Sequence, residues 1–245
     1  MNFLVVNPNT SAAVSRRLQQ HVVAILAGLA AAAEVRTATA TFGASYIADE
    51  ASFAIAAHAA LDAAASDCAL HGEPDAILLG CFGDPGIEAL REVIGRPVVG
   101  LAEAALREAA SHGRFAIVTG GVAWQPMLER LARSLGWGER LVGVHALEAT
   151  GAQLAAAPDA AIESLRSACR VASAGADAVV LGGAGLAGMA ARIASSLDVP
   201  LIDSVTAGAL ALLRAGQATS TAPARSTEKS IEWRGLSAPL LRLLR

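Results

Sequence analysis

Two rhythms of apolar residues alternate along this chain. Short unbroken runs, Phe3-Leu4-Val5-Val6, Ala76-Ile77-Leu78-Leu79 and Phe115-Ala116-Ile117-Val118, read as strands buried on both faces. Alanine-rich stretches between them read as helices. In order, the pattern predicts a strand at 3–6, a helix over 12–33, an alternating strand over 35–41 and a long helix over 49–68. A buried strand at 76–79, a helix over 85–94, a short strand at 96–100 and a helix over 102–111 follow. Asn7-Pro8-Asn9-Thr10-Ser11 reads as a turn ending in cap residues. Asp84-Pro85 reads as a helix start, with Asp84 as N-cap and proline at the first helical position.

After Gly113 the pattern begins again. Phe115 to Gly121 mirrors Phe3 to Asn9, Asp177 to Gly183 mirrors Asp75 to Cys81, and Val199 to Asp203 mirrors Arg96 to Gly100. Three strand-and-loop matches in the same order predict duplicated α/β halves. Strands alternating with helices imply parallel sheets, whose ligands bind beyond the carboxyl ends of the strands. Those ends are Asn7, Cys81, Thr119 and Gly183, so two facing halves would line one cleft with them. The expected organisation is one lobe over 1–98 with 207–216, a second over 99–206, and a linker with a C-terminal tail over 217–245. In the tail, Leu240, Leu241, Leu243 and Leu244 suit a short packed helix.

Composition narrows the field. Hydrophobic residues make up 54% of the 245 but aromatic ones only 4%, which suits alanine-rich helices packed on sheets. A net charge of -3 without a basic cluster argues against nucleic acid as a partner. The longest apolar run, 22–33, is too short to span a bilayer, so no membrane partner is expected. The first residues lack the basic region of a signal peptide. Three cysteines without paired spacing argue against a disulfide framework or a metal site, and a reducing, cytoplasmic setting is expected.

The candidate chemistry gathers at Leu79-Gly80-Cys81-Phe82-Gly83-Asp84-Pro85-Gly86. A thiol between a strand end and a helix N-terminus would meet free backbone N–H groups and the positive end of a helix dipole, which favour thiolate. Cys81 is therefore a candidate nucleophile or base. Cys68 and Cys169 lie in alanine-rich helices and read as core residues. Asn7 and Asn9 fit turn chemistry or ligand binding at a strand end, and Thr119 and Gly120 hold the matching place in the second half. His145 is a reserve acid or base, but reads more simply as structural. Gly183-Ala184-Gly185-Leu186-Ala187-Gly188, followed by Asp203, also fits a dinucleotide-binding fingerprint.

Several of these pieces together resemble the Asp/Glu/hydantoin racemase superfamily, closest to its hydantoin and allantoin racemase branch. They are Asn7-Pro8-Asn9-Thr10, Ser45-Tyr46-Ile47, the Cys81-to-Gly86 loop, the Pro97-to-Ala104 stretch, Thr119 and Leu181-Gly182-Gly183-Ala184-Gly185. The resemblance implies two α/β lobes and a small hydantoin-like or amino-acid-derived carbonyl substrate. It also implies a cofactor-independent reaction and a homo-oligomer. One cysteine would remove the α-proton and a second, across the substrate, would return one. Binding would fall to Asn7, Asn9, Ser45, Tyr46, Phe82, Gly83, Thr119, Gly120, Ala184 and Gly185. The chain departs from this pattern at one place, because the position of the second cysteine is Gly183. Glycine can neither give nor take a proton. Racemase-type chemistry at Cys81 is the leading expectation, and a single-cysteine lyase or hydrolase is the alternative. A dinucleotide-binding protein is the third.

Overall fold

The computed structural model describes residues 1–218 and 231–244. It contains two four-stranded sheets, each wholly parallel. The first half runs β1 (Asn2–Asn7), α1 (Ala12–Gly28), β2 (Glu34–Thr39), α2 (Glu50–His71), β3 (Ala76–Leu79), α3 (Ile87–Ile94) and β4 (Val98–Gly100). The second runs α4 (Leu101–His112), β5 (Phe115–Gly120), α5 (Trp124–Ser134), β6 (Leu141–Leu147), α6 (Gly151–Ala156), α7 (Pro158–Ala172), β7 (Ala178–Leu181) and β8 (Leu201–Asp203). Two more helices, α8 (Ser204–Gln217) and α9 (Ala238–Leu243), close the chain. The strand orders are β2-β1-β3-β4 and β6-β5-β7-β8, the same order twice.

The duplication extends to single hydrogen bonds. Asp75 accepts from the Asn2 N–H at 2.7 Å, and Asp177 accepts from the Arg114 N–H at 2.7 Å. Gly80 donates to Val6 O at 2.8 Å, and Gly182 to Val118 O at 2.9 Å. These bonds hold the third strand of each half in the same register on the first.

Alternation along the strands explains the layers. Phe3, Val5 and Leu78 from one sheet, and Phe115, Ile117 and Val180 from the other, share one buried cluster with Leu101, Leu106, Val205 and Leu212 of α4 and α8. The opposite faces carry separate cores. Leu4, Val6, Ile77 and Leu79 pack with alanines of α2, and Val118, Val179 and Leu181 pack with Leu165 and Cys169 of α7. Because helices cover both faces, these strands read as unbroken apolar runs. Alanine lets the helices approach closely.

Some boundaries differ from expectation. Helix α1 ends at Gly28, because Leu29 and Ala30 close the last turn back onto Leu26 and Ala27 and Ala30 takes a positive φ. Helix α2 is long and apolar enough to cross a membrane by length and composition, but it packs against β1, α3 and α9. Helix α9 buries Leu240, as the tail pattern suggested. The linker expected around 217–224 falls mostly outside the described residues.

Candidate active site

The carboxyl ends of both sheets open onto one pocket of about 100 Å³. Cys81 and Phe82 reach it beyond β3, and Gly182, Gly183, Ala184 and Gly185 beyond β7. Asn9 enters from the turn after β1, Ser45 and Tyr46 from the loop after β2, and Thr119 and Gly120 from the end of β5.

Cys81 is only 7% exposed. Burial pushes its thiol well above the usual range, and the nearby Asp84 charge adds to the rise. This corrects the expectation of a dipole-stabilised thiolate. Helix α3 begins only at Ile87, after Gly86 in the left-handed region, and not directly after the Cys81 strand end as expected. The resting group is the thiol.

Asp84 is not the cap of its own helix. Its carboxylate accepts from the Ala102 N–H at 3.0 Å and the Glu103 N–H at 2.7 Å, at the start of α4. The residue before α4 is Gly100, which has no side chain to serve as a cap. A Cβ there would stand 2.3 Å from the Asp84 carboxylate, so the glycine makes room for its substitute. Burial raises the Asp84 carboxyl to about 7, against the two N–H bonds that lower it. Asp84 itself takes a φ of 55°, which aspartate tolerates better than most residues.

On the facing wall, Gly183 has a φ of 142°. A Cβ there would meet only Leu186, at 3.4 Å, so space exists but the backbone suits glycine. Its N–H donates to Ser204 Oγ at 3.2 Å. Gly182 has no such space: the Phe82 ring lies where its Cβ would be, at 2.1 Å. Thr119 Oγ1 donates to Gly182 O at 2.8 Å and steadies the same loop.

Tyr46 crosses from the first half into the second. Its hydroxyl donates to Gly120 O at 3.2 Å and accepts from the Gly151 N–H at 3.1 Å. Burial raises its pKa above the ordinary phenol value, and the Gly151 N–H works against the rise. Trp124 makes the reverse crossing, donating from Nε1 to Ile47 O at 3.2 Å.

Two expected residues lie elsewhere. Asn7 is wholly buried behind the pocket, where its amide donates to Asn9 Oδ1, Ser11 O and Ser15 Oγ. It shapes the turn and does not reach the wall. Gly83 lines a neighbouring cavity of about 470 Å³, with the Trp124 and Phe53 rings against it. His145 sits within edge strand β6, not at a strand end, and lies outside the pocket.

The dinucleotide fingerprint loses its structural premise. No α-helix follows Gly183; the chain passes through short 3-10 turns at Ala184–Leu186, Ala190–Arg192 and Ala194–Ser196. Asp203 instead caps α8 through Val205 and Thr206 and accepts from the Gly188 N–H at 3.0 Å.

Sequence reasoning missed Trp124 and Gly151. Both follow strands whose first-half counterparts, β1 and β2, precede expected site loops. Extending the repeat by one loop on each would have found them, helped at Gly151 by the Thr150-to-Gln153 capping box.

With this geometry, comparison with known proteins is decisive. The model of the Asp/Glu/Hydantoin racemase family matches residues 3–212. The chain belongs to the Asp/Glu/hydantoin racemase family. It is 37% identical to the hydantoin racemase of Paenarthrobacter aurescens over 164 residues, 64% of this chain and 70% of that protein. It is 38% identical to the hydantoin racemase of Rhizobium meliloti over 152 residues, 60% of this chain and 63% of that one. The match thus spans less than two thirds of the Rhizobium protein. An allantoin racemase structure from Pseudomonas fluorescens superposes with a TM-score of 0.82 at 29% identity, covering 93% of this chain and 99% of that one. Within this racemase family, the strand-end pocket with its buried thiol is the candidate active site of a racemase-type enzyme.

Proposed function

We propose that this chain is a cofactor-independent racemase-type isomerase acting on a small hydantoin-like or amino-acid-derived carbonyl compound, with Cys81 as its base. The observation that carries this reading is a buried thiol at the mouth of β3, facing a glycine loop across a pocket of about 100 Å³.

Removing a proton next to a carbonyl pushes an electron pair onto the carbonyl oxygen, so the site needs donors where that charge develops. Among the described residues, the N–H groups of Phe82, Ala184 and Gly185 have no acceptor in the chain. They border the pocket from both sides and suit an enolate or ring carbonyl. Asn9 is the polar side chain best placed to orient the ring, since its Oδ1 is already occupied by Asn7 and the Ser11 N–H and its amide N–H groups remain. Ser45 and Thr119 supply further polar edges.

One enantiomer of 5-benzylhydantoin in heavy water tests the reading, with α-proton exchange followed by NMR and optical activity by circular dichroism. The wild-type chain should catalyse both. Cys81→Ser should lower exchange by about 10³-fold, the scale of a positioned base. Because burial holds the thiol protonated, the exchange rate should climb with pH through neutrality into the alkaline range. Exchange that survives Cys81→Ser would overturn the assignment.

Gly183 favours a second reading, a single-cysteine lyase or hydrolase on the same scaffold. Its signature is product formation from an activated acid or amide at Cys81, with no exchange in any hydantoin or amino acid offered.

A further inference from the structure

The missing second thiol leaves a chemical gap. If Cys81 takes a proton from one face of the substrate, inversion needs a donor on the other, and Gly183 offers none. Among the described residues that line the pocket, Cys81 and Tyr46 are the two with ionisable side chains. Their anchoring differs. Cys81 belongs to the first half, at the end of β3. The Tyr46 hydroxyl is tied to the second half alone, through Gly120 at the end of β5 and Gly151 at the start of α6. Gly151 in turn abuts the loop of Gly183, since a Cβ on Gly185 would stand 2.9 Å from Gly151 O. The phenol is therefore anchored to the half of the chain whose loop carries Gly183.

From this placement we propose that Tyr46 is the catalytic acid of the second face, giving its hydroxyl proton to the substrate carbon opposite Cys81. The proposal rests on the reading of Cys81 as base. In the forward step the Cys81 thiol first gives its proton to water; the thiolate then takes the α-proton, a C–H bond breaks, an S–H bond forms, and the electron pair moves to the carbonyl oxygen. The Tyr46 O–H bond then breaks, its proton adds to the α-carbon from the other side, and the carbonyl re-forms. The enzyme is left with a Cys81 thiol and a Tyr46 phenolate. That pair runs the reverse inversion directly, or the phenolate takes the proton back from water and the resting thiol and phenol are restored.

The surroundings suit both states of the phenol. Burial keeps it protonated near neutrality, so a proton is there to give. The Gly151 N–H, 3.1 Å away, stays in place to hold the oxygen once it is charged. Gly120 O accepts the hydroxyl proton while the site waits. Rotation of one O–H bond turns it from that carbonyl toward the substrate.

The test uses 5-benzylhydantoin in heavy water, reading exchange and inversion separately, with the enzyme-free rate subtracted. In Tyr46→Phe, Cys81-dependent exchange should remain measurable while the ratio of inversion to exchange falls by about 100-fold, the scale of a positioned acid. Retained exchange also shows that the variant is folded. Tyr46 is the one tyrosine of the chain, so biosynthetic incorporation of a fluorotyrosine labels that residue alone without removing the hydroxyl. Its more acidic phenol should move the alkaline limb of inversion to lower pH and leave that of exchange in place. Unchanged inversion per exchange in Tyr46→Phe, a parallel loss of both, or an unmoved alkaline limb would each overturn the proposal while Cys81 remains the base. A wild-type chain without Cys81-dependent exchange would remove the base reading itself, and Tyr46 with it.

Discussion

The two halves repeat each other in backbone and diverge in what the loops do. Both use an aspartate to pin the third strand to the first, through Asp75 and Asp177, and both send a glycine N–H back to the first strand. Beyond that point they part. The first half keeps a thiol at the strand end and lends its loop aspartate, Asp84, to the start of α4, which follows β4. In the second half the glycine loop carries no carboxylate. The cap of α8, the helix after β8, comes from Asp203 in the strand itself, which also reaches back to Gly188. The same helix-capping problem is thus solved from the loop in one half and from the strand end in the other. Duplication preserved the scaffold while the polar groups around the pocket were redistributed.

The sharpest way to test this contrast is at the paired glycines. Gly80→Ala places a methyl 2.7 Å from the tip of Leu18 and 3.2 Å from Val6 O, whereas Gly182→Ala drives one into the Phe82 ring at 2.1 Å. We expect Gly182→Ala to cost about 3 kcal/mol and Gly80→Ala about 1 kcal/mol, measured by urea unfolding. Equal losses would mean that the two loops are packed alike.

A smaller effect is expected at Gly183. Gly183→Cys finds room beside Leu186 but must hold a side chain at a φ of 142°. The same unfolding measurement should show a loss of about 1–2 kcal/mol. Thermal scans showing no loss would mean that the loop relaxes freely.

The smallest effect concerns the two caps. Asp84→Asn keeps one acceptor for the two N–H groups of α4, a loss of about 1 kcal/mol near neutral pH. The pH dependence separates the variants. Below the ordinary carboxylate range of about 3.8, folded and unfolded chains both carry the Asp84 proton. Between there and about 7 only the folded chain does, so wild-type stability falls as pH rises through that window and levels off above it. Asp84→Asn should lack that fall, as seen in unfolding midpoints from pH 4 to 8, while Asp203→Asn should keep it.

Much of this was legible in the chain. Strands buried on both faces announced themselves as apolar runs, and the repeat predicted two α/β halves with parallel sheets, though not the order of the strands within each sheet. What sequence could not give was partnership at a distance. Asp84 beside Pro85 looks like a local cap, yet the N–H groups it serves lie on another helix, made available by the bare Gly100. Asn7 ends a strand like a binding residue, but its side chain turns inward on its own turn. Cys81 stood out as a candidate from its loop, while the rise in its thiol pKa comes from burial that no local pattern encodes. The pocket wall held by Trp124 and Gly151 required the repeat to be followed into its least regular loops.

The Phe82 ring lying on Gly182 carries a consequence for reading related chains. An aromatic at the first position and a side chain at the second are mutually exclusive in this backbone, so the two sites form a single unit of variation. In sequences of this kind, a residue larger than glycine at the position of Gly182 should appear only together with a small residue at the position of Phe82. Such paired change would move side-chain volume from one loop of the pocket to the other.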